Sequence, residues 1–337
     1  MDTVTGRVLY EKNAYSKVPI ASTTKIMTAI VALENGDLND MVTVSERAAS
    51  IWGSRVNLKI GEQISLHDLM YGMMIKSGND AAIAIAEHIG GTVENFLDMM
   101  NKKARELGAY DTQFKSPHGL DMEGHYSTAY DLALITRYAL ENPVFSKIVS
   151  TVSINIKDRN LYNTNEMLTV YQGADGVKTG YTGKAGRCLV TSATRENWRI
   201  ISVVLNCSSR TQRARSSKAI LDYAFNNYKF YTLLSPDEVL CKLPVENGLK
   251  TRTTIVPVEG VILPLREDEA ALIQKKVQLP GKIKAPVYSN IEVGNVSFYL
   301  SGEVLATTKL KTADNVGKKR FGHFFMDVIL EWCNLMR

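Results

Sequence analysis

Three short strings, far apart in a chain of 337 residues, carry side chains that are useful only together: Ser22-Thr23-Thr24-Lys25, Ser77-Gly78-Asn79 and Lys178-Thr179-Gly180. Any fold of this chain must gather them into one cleft, which constrains it more than composition does. A Ser-x-x-Lys pair arises about once by chance at this length, and Lys-Thr-Gly roughly one time in ten. The ordered set of three is far rarer. On a helix, positions i and i+3 share a face, so Ser22 and Lys25 point the same way. A serine hydroxyl needs a base within hydrogen-bond reach. Lysine serves as that base only when neutral, a state favoured by burial and by a second cation such as Lys178. Ser77 can then relay a proton to a leaving amine, while Asn79 holds Lys25 and a substrate amide. The backbone N–H groups of Ser22 and Tyr181 can form an oxyanion hole, and Gly180 leaves room for a substrate backbone. Each string alone reads as a helix start, a turn or a solvated loop; together they imply acyl transfer through a serine.

The surrounding pattern supplies suitable contexts. Residues 1–13 read as a β-hairpin turning at Thr5-Gly6. A helix follows from about Ser22, with Ile26, Ile30 and Leu33 at helical spacing and Gly36 as its stop. From Leu66 to Gly90 the chain reads as two helices interrupted at Lys76-Ser77-Gly78-Asn79, with Asp80 as a cap for the second. Another helix is expected over about Val93–Leu107. The segments Arg187–Ala193 and Arg199–Asn206 read as an antiparallel pair around Arg195-Glu196-Asn197, with Lys178-Thr179-Gly180 at the mouth of that sheet. A helix near Thr211–Tyr228 closes a first domain, 1–233.

Beyond Ser235-Pro236-Asp237 the texture changes to short apolar runs broken by Gly and Pro. Thr253–Val258, Val261–Leu265, Val296–Leu300 and Val304–Leu310 predict a small all-β domain, 234–315. The last segment, 316–337, reads as an amphipathic helix. Phe321, Phe324, Phe325, Val328, Ile329, Trp332 and Leu335 form a stripe behind Lys318-Lys319-Arg320, with Asp327, Glu331 and Asn334 opposite. Such a helix fits a membrane surface through 318–335, or packs on its own domain.

Several classes are excluded. The net charge of +5 is modest and the basic residues are interspersed with acids, so no nucleic-acid partner is implied. No apolar run reaches the roughly 20 residues of a spanning helix. Cys188, Cys207, Cys241 and Cys333 show no metal spacing, and the first two read as buried small residues. The five histidines suggest no metal site, and no cofactor is expected. No secretory signal is expected at Met1.

The combination resembles the one that penicillin-binding proteins and class A β-lactamases share. Residues Pro19 to Ala29, Ser77 to Ala82 and Asp175 to Thr182 resemble the low-molecular-weight D-alanyl-D-alanine carboxypeptidases, serine peptidases of the S11 type. Ser116-Pro117-His118-Gly119-Leu120-Asp121 and Asn163-Thr164-Asn165 are similar to that family too. The resemblance implies an α+β fold: a β-lactamase/transpeptidase-like domain of antiparallel sheet flanked by helices, then the β-rich domain and a C-terminal anchor. It implies removal of the terminal D-alanine of peptidoglycan stem peptides through a Ser22 acyl-enzyme, acylation by β-lactams, and a place on the outer face of a bacterial cytoplasmic membrane. Lys178, Thr179 and Arg213 would bind the terminal carboxylate, with Arg210 and Arg215 as competitors for the arginine role. The chain departs from the family in lacking the leading residues of the first strand and in carrying Gly78. His118 is expected to be a turn or packing residue, and Glu166 a capping or surface residue. A β-lactamase would need fast deacylation, and a scaffold protein would lack turnover; both remain alternatives to the carboxypeptidase.

Overall fold

The computed structural model describes residues 1–335, apart from the side chains of Phe324, Asp327, Leu330, Glu331, Asn334 and Leu335. It has two compact units, Met1–Asn226 and Asn227–Arg337.

The first unit is built around two helices buried on nearly every side. In α1 (Lys25–Asn35) every residue from Lys25 to Ala32 is buried, and Gly36 follows as the C-cap. A ring of α2 (Leu66–Ile75), α3 (Asn79–Gly90), α4 (Val93–Glu106), α5 (Ala129–Glu141) and α6 (Pro143–Ser150) belongs to the same core. In α3 the residues Asn79 to Ala86 are all buried, four of them alanine. Small residues let neighbouring backbones approach, and a helix that is apolar all round must lie inside. The first two of the three strings thus sit at the N-termini of two interior helices. Helices α4, α5 and α6 begin with the side-chain caps Thr92, Thr128 and Asn142, which accept from backbone N–H groups of the first turn.

A three-stranded antiparallel sheet, β1 (Ala174–Thr182), β2 (Gly186–Arg195) and β3 (Trp198–Cys207), stands beside this core in sequence order. Strand alternation sorts its faces. Val190 and Ile201 join the helical core. Their neighbours Thr191 and Ser202 bond the Ser217 hydroxyl of α7 (Arg210–Asn227) at 3.0 and 3.2 Å. Lys178 pairs with Val190 and so points to the helical-core face. Lys178-Thr179-Gly180 is therefore the body of an edge strand, where a mouth of the sheet was expected.

Two expectations need correction. Residues 1–13 form no hairpin. Asp2 makes an isolated bridge to Ile200, while its carboxylate accepts from Thr5 N–H at 2.7 Å and Trp198 Nε1–H at 2.8 Å. One buried carboxylate thereby ties a tight turn to the sheet in place of two paired strands. Asp80 is the second residue of α3, whose N-cap is Gly78, although Asp80 Oδ1 does accept the first-turn N–H of Ala81 at 3.0 Å. Its carboxylate accepts from Val56 N–H at 3.0 Å and Leu58 N–H at 3.1 Å, so it pins the 56–58 loop.

The second unit is β-rich. Six strands run in the spatial order Gln274–Gln278, Glu292–Leu300, Glu303–Thr312, Arg252–Pro257, Cys241–Glu246 and Ile283–Lys284, and Lys229–Leu234 pairs separately with Val261–Leu265. Alternate residues Thr253, Ile255 and Pro257 are buried, the period-2 pattern of a half-buried strand. Val296, Phe298 and Leu310 complete that core. A final helix, α8 (Phe321–Leu335), follows. The expected stripe positions Phe324 and Leu335, and the opposing Asp327, Glu331 and Asn334, lie outside the described side chains. Among the described residues no helix is long and apolar enough to cross a membrane.

Candidate active site

Ser22 lies in a 3-10 turn, Ala21–Thr24, that runs directly into α1. The turn is locked from several sides. Thr23 Oγ1 donates to Ile20 O at 2.6 Å and Thr24 Oγ1 to Ala21 O at 2.8 Å. His125 Nδ1 accepts the Lys115 N–H at 2.9 Å, so Nε2 carries the proton and donates to Thr24 Oγ1 at 2.8 Å. Burial holds His125 neutral, its pKa lowered to about 4. Gly119, at φ 87°, lies so close that a Cβ would come within 1.9 Å of Ala21 O.

Lys25 is wholly buried, and its Nζ donates to Ser22 Oγ at 3.0 Å, Asn79 Oδ1 at 2.7 Å and His118 O at 2.7 Å. Burial, and then the charge of Lys178, push its pKa well below the usual lysine range. Those are the conditions under which a lysine works as a base. Asn79 is fixed in turn, because its Nδ2 donates to Trp52 O at 2.8 Å. Ser77 is buried, and its backbone adopts φ 65°, a left-handed conformation uncommon for a residue with a side chain. The amides after it are anchored: Gly78 N–H donates to Gly72 O at 3.1 Å and Asn79 N–H to Ser54 O at 2.7 Å.

The sheet supplies the opposite wall. A Cβ on Gly180 would lie 3.0 Å from Ile20 O and 3.1 Å from Ser22 N. Glycine here lets β1 approach the backbone of the nucleophile turn; that approach, in addition to space for a substrate, is what the position requires. Tyr181 is exposed, with the Arg187 guanidinium 3.6 Å above its ring centre. Thr179 Oγ1 is 2.7 Å from Thr164 Oγ1. Lys178 is buried, and among the described residues its Nζ has no hydrogen-bond partner. Burial and the charge of Arg213 lower its pKa to about 7.

Arg213, on α7, is also buried. Its Nη1 donates to Cys188 O at 3.4 Å, while its Nε has no partner among the described residues. Its Nη2 donates to both carboxylate oxygens of Glu166, at 2.6 and 2.7 Å. Arg210 and Arg215 are exposed. Glu166 precedes the short helix Met167–Val170 without a side-chain capping bond, so the capping or surface role expected for it is replaced by an ion pair. His118 contributes its carbonyl to Lys25, a role with no side-chain signature. Its ring is held neutral, at about 3, by burial and by Lys25. Cys188 and Cys207 are buried free thiols, and burial raises Cys188 to about 11. A separate cavity of about 750 Å³ runs along β3 and is lined by none of the expected site residues.

The structure thus brings Ser22, Lys25 and Asn79 into direct contact, with Gly180 against the Ser22 backbone and Lys178 close enough to act on Lys25. Comparison with known proteins identifies the family. A family model described as D-alanyl-D-alanine carboxypeptidase matches residues 1–209, and one for the C-terminal domain of penicillin-binding protein 5 matches 228–318. The D-alanyl-D-alanine carboxypeptidase DacF of Bacillus subtilis is 36% identical, over 97% of this chain and 87% of its own length. The structure of penicillin-binding protein 5 from Haemophilus influenzae superposes with a TM-score of 0.82 at 31% identity, covering 94% of this chain and 96% of that one. A Streptomyces K15 DD-transpeptidase mutant superposes with a TM-score of 0.65 at 35% identity, covering 67% of this chain and 95% of its own. The sequence, the α+β fold and these similarities agree: the chain belongs to the D-alanyl-D-alanine carboxypeptidase family and is a serine hydrolase.

Proposed function

We propose that Ser22 is the nucleophile of this carboxypeptidase, acting on the D-Ala-D-Ala end of peptidoglycan stem peptides. In this reading Ser22 Oγ attacks the carbonyl carbon of the penultimate D-alanine while neutral Lys25 takes the hydroxyl proton. The resulting oxyanion is held by the backbone N–H groups of Ser22 and Tyr181. As the C–N bond breaks, Ser77 passes the proton to the departing amine of D-alanine. Water then cleaves the Ser22 ester, with Lys25 again accepting a proton. Asn79 holds the lysine in line. Lys178, Thr179 and Arg213 receive the terminal carboxylate, and buried donors without partners among the described residues, Lys178 Nζ and Arg213 Nε, support that role. A β-lactam presents a strained amide and a carboxylate in the same places, so it acylates the same serine.

What carries this reading is the Lys25 amine, wholly buried, shifted toward neutrality and 3.0 Å from Ser22 Oγ. Ser22→Ala should abolish D-alanine release from a diacyl-Lys-D-Ala-D-Ala peptide. Release at the wild-type rate would exclude Ser22.

The protein works, in this reading, outside the cytoplasmic membrane with α8 lying on its surface. Phe321, Phe325, Val328 and Trp332 are 85%, 59%, 62% and 69% exposed, a density of apolar side chains that water alone does not favour. Lys318, Lys319 and Arg320 precede them and suit anionic headgroups. Phe325→Glu should release the protein from anionic vesicles in a flotation assay, and unchanged binding would remove the anchor.

A further inference from the structure

We infer that Glu166 is a resident competitor for the substrate: its carboxylate occupies Arg213 in the free enzyme and must share or yield that guanidinium when a ligand's terminal carboxylate arrives. This rests on the reading that Lys178 and Arg213 form the carboxylate site.

The geometry favours exchange over a permanent brace. Both Glu166 oxygens converge on a single nitrogen, Nη2, at 2.6 and 2.7 Å, so the contact leaves Nε bare. The two partners differ sharply in exposure, 3% for the arginine side chain and 26% for the glutamate. Arg213 cannot leave without carrying its charge through the core. Glu166, partly exposed, can turn into water and stay solvated once an incoming carboxylate takes its place on the buried guanidinium.

The segment bearing Glu166 is held against the strand that would receive substrate. Thr164 Oγ1 bonds Thr179 Oγ1 at 2.7 Å, Asn165 Nδ2 donates to Gly176 O at 2.8 Å, and Thr164 N–H donates to Ile75 O at 3.1 Å. Glu166 is thereby kept on Arg213. The reaction releases D-alanine, itself a carboxylate, into this same place. A resident carboxylate weakens the hold on substrate and on product alike, lowering ground-state affinity at the anionic end.

The sign of one substitution separates competitor from brace. Glu166→Gln keeps the shape and an acceptor oxygen for Arg213 while removing the charge. As a competitor's loss, it should lower KM for diacyl-Lys-D-Ala-D-Ala about fivefold, the scale of a partly exposed ion pair. Product inhibition by D-alanine should tighten by a similar factor, and kcat should move less than KM. In an Arg213→Gln background the same change should do nothing to KM. A KM that is unchanged or raised by Glu166→Gln, or lowered equally without Arg213, would overturn the proposal. If Arg213→Gln alone leaves KM unchanged, the carboxylate site itself is misassigned and the competitor falls with it. If Arg213→Gln raises KM while Glu166→Gln fails to lower it, only the competitor falls. Should Glu166→Gln fail to fold, Glu166→Asp, which shortens the reach to Arg213, must move KM downward as well.

Discussion

The two units bury different kinds of side chain. The second has an apolar core of Leu243, Ile255, Val296, Phe298 and Leu310. The first encloses, beside its own apolar core, Lys25, Asp80, Lys178, Arg213 and the rings of His118 and His125. Burying ions is costly unless they are paired, and two of these cations have atoms without partners among the described residues. The contrast teaches where function resides. The β-rich unit also buries polar groups, such as Thr253 and Glu269, but no lysine or arginine among the described residues, whereas the first unit encloses three cations that oppose folding and, in the proposed reading, serve catalysis and the substrate carboxylate.

Two substitutions probe that contrast from opposite directions. The larger effect is expected from Phe298→Ala, which empties a site 2% exposed in the second core and should cost about 3–5 kcal/mol there, read by urea unfolding. D-alanine release by the folded protein should be unaffected; a loss of kcat in the folded variant would show that the β-rich unit takes part in turnover. Lys178→Met should go the other way. Replacing a buried ammonium by an apolar side chain of similar length should stabilise the first unit by about 1–4 kcal/mol, while kcat/KM falls for want of a carboxylate partner.

The pH dependence sharpens the same comparison. Lys178 has its pKa lowered to about 7 from 10.5, so its burial penalises folding fully below pH 7, and the penalty fades as pH rises toward 10.5. In the same window the free enzyme loses the charge that, in the proposed reading, attracts the substrate carboxylate. Wild-type kcat/KM should therefore decline as pH rises through about 7, a limb the residual activity of Lys178→Met should lack. A Lys178→Met variant that is less stable, or that keeps the limb, would break the contrast.

Much of this was legible in the sequence. The spacing of Ser22 and Lys25, the break at Ser77-Gly78-Asn79 and the alternation through Arg187–Ala193 each encode local geometry, and local geometry follows from short-range rules. The strands Val261–Leu265 and Glu303–Thr312 were equally visible in runs of β-branched residues bounded by turns. What stayed hidden depends on long-range contacts. His118 acts through a carbonyl, which every residue has. Glu166 meets Arg213 across 47 positions of chain, so neither one's neighbours disclose the pair. Asp2 reads as an ordinary turn residue until Trp198 is found on its carboxylate. Helices α5 and α6 carry local signals of their own, the caps Thr128 and Asn142 and Pro143 in the first turn, but no reactive motif.

The central claim is that Lys25 makes one hydroxyl, that of Ser22, reactive. Mass spectrometry of the intact chain after exposure to penicillin, with the modified peptide located, tests it most directly. A single added penicilloyl group on the peptide containing Ser22, absent from Ser22→Ala, is the predicted result; an adduct on any other residue, or one that survives that substitution, would contradict it.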